Sequence, residues 1–113
     1  MTDVPGPSAS RLTELFLALT RLASPSKKER AVADLVISTL EAVGVKVHED
    51  DAGDKTGGDT GNLWCVVRPE RSAAEESVDG GPHVALGAHL DTVAPTEAVE
   101  PYLDDDKVFR NRR

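Results

Sequence analysis

A chain of 113 residues has the length of one modest domain, with 39% hydrophobic and 29% charged residues, which is ordinary globular composition. A net charge of −7, with the lysines and arginines scattered except in the closing "RNRR" of Arg110 to Arg113, argues against a nucleic-acid partner. No apolar run approaches the roughly 20 residues needed to span a bilayer, and "MTDVPGPSAS" lacks the basic start and apolar stretch of a signal peptide. A cytoplasmic location and no membrane partner are the default expectations.

Residues 1–10 read as a flexible leader, rich in Pro, Gly and Ser. In "RLTELFLALTRLA" the residues Leu12, Leu15, Phe16, Leu19 and Leu22 recur at the three-and-four spacing of one apolar helix face. Ser24 and Pro25 break that pattern. Ser26 and Glu29 have the spacing of a capping box, so a second helix is expected to begin there. Its apolar positions Val32, Leu35, Val36, Leu40 and Val43 keep the helical period as far as Gly44, which can take the left-handed conformation that closes a helix.

"VKVHE" alternates as a short strand, with Val45 and Val47 toward the core and His48 on the surface. Residues 50–62, "DDAGDKTGGDTGN", have no periodicity and read as a loop. No register in that stretch supplies the acids, the sixth-position glycine and the twelfth-position glutamate of an EF-hand, and it has no phosphate-loop spacing. "LWCVVR" and "HVALGAHLD" are continuous apolar runs of the length of strands buried on both faces. Cys65, the sole cysteine, is then a buried thiol with no disulfide partner. "PYLDDDKVFR" reads as a hairpin turning at Asp104 to Asp106. The fold class expected from these pieces is α/β, with two amino-terminal helices packed on a mixed, largely buried sheet.

The pattern that can carry chemistry is "GAHLDTVAP", Gly87 to Pro95. Residues two apart on a strand face the same side, so His89 and Asp91 can stand together while Leu90 turns inward. A neutral imidazole binds zinc through one nitrogen, and a carboxylate accepting the other N–H fixes the tautomer and aims the ring. A histidine bonded to a nearby aspartate can equally be structural. His83, six residues upstream, would lie about 20 Å away along a strand, so it cannot share a metal with His89 and reads as a strand-edge residue.

"ALGAHLDTVAP" resembles the first metal motif of the zinc exopeptidases that include peptidase T, carboxypeptidase G and acetylornithine deacetylase. The similarity extends to "SPSKKERAVADLVISTLEAVGVKV" and "DDAGDKTGGDTGNLWCVV", which look like the opening helices, strand and glycine-rich turn of the peptidase T-like branch. It implies that residues 11–113 are the amino-terminal portion of a metallopeptidase catalytic domain, truncated before the second metal motif. It also implies a cofactor of two zinc ions in the complete enzyme and a short peptide as substrate. His89 would be a zinc ligand, and Asp91 the carboxylate of the catalytic centre that orients it.

The remaining ligands and the general base of that family have no counterpart up to Arg113, so at most a partial zinc site is expected, and no activity from this stretch alone. Two alternatives stay open: a zinc-dependent N-acyl amino acid deacylase of the same superfamily, and a non-catalytic remnant or binding module.

Overall fold

The computed structural model describes residues 6–68 and 84–113. Chain order is α1 (Ala9–Arg21), α2 (Arg30–Glu41), β1 (His48–Glu49), α3 (Ala52–Thr56), β2 (Leu63–Trp64), β3 (Pro101–Leu103) and β4 (Phe109–Asn111). The mixed α/β character expected from the sequence is present. The sheet is different from the one expected: among the described residues β1 pairs only with β2, and β3 only with β4, both antiparallel.

Helix α1 begins at Ala9, inside the stretch read as leader, because the Ser8 hydroxyl accepts from the amide of Arg11 at 3.3 Å and so caps the first turn. Its apolar face meets the carboxyl-terminal hairpin, where the Phe16 and Phe109 rings lie 4.4 Å apart at 46°. Helix α2 begins at Arg30, four residues after the expected cap at Ser26. The capping-box spacing misleads because the Glu29 carboxylate accepts instead from the amide of Lys27, at 2.7 Å. The exposed Arg30 amide finds its acceptor 29 residues away, donating to Asp59 Oδ1 at 3.1 Å.

The carboxyl end of α2 follows the expectation. Gly44 has φ of 82°, its amide donates to the Glu41 carbonyl at 3.0 Å, and the Val45 amide donates to the Leu40 carbonyl at 3.1 Å. Together these two bonds make a Schellman closure. The Arg30 side chain fastens the other end of the helix to β1, with Nη1 2.7 Å from Glu49 Oε1 and Nε 2.9 Å from Asp34. The Glu49 hydrogen bond, the largest influence, holds the guanidinium pKa above its ordinary value.

Residues 50–62 contain the short helix α3 and are organised by one carboxylate. Asp50 accepts from the amides of Ala52 (3.0 Å) and Asn62 (2.7 Å) and from the Asn62 side chain (2.9 Å), closing the thirteen-residue loop 50–62 on itself. Gly61 is required there, since a Cβ would fall on the Asp50 carbonyl oxygen. His48 is half-buried, not a free surface residue: its ring stacks on Trp64, 4.2 Å away, across the β1–β2 register.

The run 63–68 is a strand only over Leu63 and Trp64, and it is not buried on both faces. Leu63 and Cys65 are half-buried and Trp64, Val66 and Val67 are exposed, so Cys65 is a half-buried thiol. Residues 84–91 form no strand, and Leu86 is 94% exposed. The reason is pairing: an extended segment needs a neighbour for its amides and carbonyls, and among the described residues 84–89 have none. His83 lies outside the described residues. The hairpin of β3 and β4 forms as expected, with the Asp104 amide donating to the Val108 carbonyl at 3.0 Å and Asp104 also paired with Arg110.

Candidate metal centre

His89 and Asp91 meet, although not by the strand geometry that suggested them. His89 Nδ1 lies 3.0 Å from Asp91 Oδ1 and 2.6 Å from the Asp91 carbonyl oxygen. A carbonyl and an ionised carboxylate can only accept, so Nδ1 carries a hydrogen, and in the neutral ring Nε2 keeps its lone pair. The ring is 82% exposed, which leaves Nε2 open to an approaching ligand or ion. This is the tautomer and orientation that metal-binding imidazoles take when a carboxylate holds their other nitrogen.

Sequence reasoning missed the residue that holds this pair against the rest of the molecule. Ser24, taken from the sequence only as a helix break, is fully buried. Its hydroxyl donates to the Leu90 carbonyl at 2.8 Å, and its own carbonyl accepts from the Thr92 amide at 2.8 Å and the Thr92 hydroxyl at 3.4 Å. The sequence offers one signal for it: a small hydroxyl residue directly before a proline at the end of an apolar helix, where the chain must turn and a buried hydroxyl can find a carbonyl.

The pair sits on the wall of an open cleft of about 950 Å³, whose apolar lining includes Val32, Val36 and Leu40 of α2 together with Leu63 and Leu90. Among the described residues no three His, Cys, Asp or Glu side chains converge in a way that could hold a metal ion. Zinc takes four protein ligands in structural sites and three in catalytic ones. One imidazole nitrogen, with its carboxylate partner engaged on the far side of the ring, does not make such a set, and the described residues alone do not fit a zinc ion. Cys65 also lines the cleft but, among the described residues, belongs to no ligand cluster.

The acidic stretch around Asp50 is likewise spent on internal bonding. Its carboxylate pKa lies below the ordinary value, chiefly through the Asn62 side-chain hydrogen bond and then the Ala52 and Asn62 amides. Among the described residues no helix is long and apolar enough to cross a membrane.

No family model matches the chain, and no solved structure is found to match it. A curated protein of Bacillus subtilis (strain 168), the uncharacterized protein YqjE, is 31% identical over 98 residues, covering 87% of this chain and 24% of that protein. The chain therefore spans about a quarter of the length of the curated relative it matches, and it is similar there over nearly all of its own length.

Proposed function

We propose that this chain supplies one ligand, His89 Nε2, to a zinc centre completed by residues outside those described, in a metallohydrolase resembling peptidase T that cleaves short peptides. The observation that carries this reading is the Nδ1–Asp91 contact at 3.0 Å on a ring that is 82% exposed, which in the neutral imidazole leaves the Nε2 lone pair available to a metal. The apolar cleft beside it would receive the substrate's side chains. The match to one quarter of a longer protein is compatible with the remaining ligands lying elsewhere in a longer polypeptide. The chain by itself, with a single imidazole, is proposed to be inactive.

The test begins with the coding DNA that follows Arg113. An in-frame aspartate-bearing loop followed by a pair of glutamates is expected, and the protein completed with that sequence should bind two zinc ions and hydrolyse short peptides. His89→Ala in the completed protein should lose one zinc equivalent by mass spectrometry. No such motif in any frame, or two full zinc equivalents in His89→Ala, would remove His89 from the site and end the hydrolase reading.

A further inference from the structure

We infer that Ser24 is a positioning residue that sets the tautomer of His89 by clamping the backbone of Asp91. The inference rests on the His89–Asp91 pairing described above, but it needs no metal. Among the described residues, every hydrogen bond between residues 84–99 and the rest of the chain ends on Ser24. The segment that carries the histidine hangs from this one buried residue.

The clamp follows from covalent geometry. The Leu90 carbonyl belongs to the peptide plane before the Asp91 Cα, and the Thr92 amide belongs to the plane after it. Ser24 holds the first plane through its hydroxyl, at 2.8 Å, and the second through its carbonyl, also at 2.8 Å. With one atom of each plane held, the two soft backbone angles of Asp91, φ and ψ, are restricted. Those angles decide where the Asp91 carbonyl and the root of its side chain point, and both oxygens converge on His89 Nδ1, at 2.6 and 3.0 Å.

The imidazole has no other described hydrogen-bond partner. Its preference for carrying hydrogen on Nδ1 therefore depends on the Asp91 backbone angles, and through them on Ser24. Free neutral histidine favours hydrogen on Nε2, so release of the clamp should be visible as a change of tautomer. Burial makes the role demanding: a hydroxyl with no exposure cannot exchange the Leu90 carbonyl for water without a local opening.

The experiment is nitrogen NMR of the full chain with ring-¹⁵N histidine, on wild type, Ser24→Ala and the nearly isosteric Ser24→Cys. Wild type is expected to show His89 with hydrogen on Nδ1 and an unprotonated Nε2. Ser24→Ala, which loses the hydroxyl bond to the Leu90 carbonyl and keeps the Ser24 carbonyl that accepts from the Thr92 amide, should give a mixture of tautomers. Ser24→Cys, whose thiol is a weak donor, should fall between. The His48 ring signals, from a ring stacked on Trp64 across β1 and β2, report whether the fold is intact.

Wild-type His89 with hydrogen on Nε2 would defeat the pairing itself and the proposed function with it. A wild-type Nδ1–H form that persists unchanged in Ser24→Ala, or in Ser24→Cys should Ser24→Ala fail to fold, would overturn the clamp while leaving the proposed function standing. Altered His48 signals in both variants together with an altered His89 tautomer would assign Ser24 a general structural role and overturn the positioning role.

Discussion

Single residues in this chain act mostly through hydrogen bonds to backbone, and Asp50 is the clearest case. Three donors converge on its carboxylate, and its pKa is lowered, first by the Asn62 side chain. A depressed folded-state pKa means the charged form is preferred in the folded loop. The stabilisation is then present above the ordinary value of 3.8 and is lost as pH falls through the lower folded value. A carbon-detected titration of the Asp50 carboxyl should find a midpoint below 3.8, and Asn62→Ala should move it upward while leaving the two backbone donors in place. An unmoved midpoint would show that the Asn62 side chain is not the main cause. Residue-level pairing was partly legible beforehand. The His-x-Asp spacing places His89 beside Asp91, but no local pattern signals that the Asp91 carbonyl joins its carboxylate on Nδ1, because that depends on backbone angles held by Ser24, 66 residues before Leu90.

At the scale of elements, periodicity was the strong signal and pairing the weak one. Both amino-terminal helices occur where the apolar spacing of Leu12 to Leu22 and Val32 to Val43 puts them, and Gly44 closes the second by local chemistry that needs only neighbouring residues. The start of α2 was misjudged because its acceptor comes from Asp59, beyond the reach of any local motif. Asp59→Ala should therefore weaken a helix in which it does not lie, by about 1 kcal/mol, the usual worth of a side-chain cap. Amide exchange at Arg30 and Ala33 should accelerate, with the last turn before Gly44 unaffected. Equal acceleration at both ends would mean that Asp59 supports the whole packing and not the helix start. The strands were the least legible elements: "HVALGAHLD" has the composition of a buried strand, yet composition cannot supply the neighbour that a ladder requires.

Across the whole molecule, the described residues bury little. Val32 and Ala33 are the buried hydrophobics of α2, while Val84, Leu86 and Val93 are 85 to 94% exposed. The apolar side of α2 faces a cleft of about 950 Å³, and the same cleft is lined by the hydrogen-bonded pair His89 and Asp91. An exposed imidazole with hydrogen on Nδ1 presents its other nitrogen to whatever enters the cleft, and the proposed role of His89 rests on that. The most direct measurement is a zinc titration of the full chain, following the ring nitrogens of its three histidines by NMR. His89 Nε2 should respond at the lowest zinc concentration, with weak affinity because one ligand is present, and Asp91→Asn should weaken that response about 10-fold or more, as loss of a carboxylate partner does elsewhere. Zinc that perturbs all three histidines alike, or a His89 response untouched by Asp91→Asn, would contradict the assignment of this pair as a prepared metal ligand.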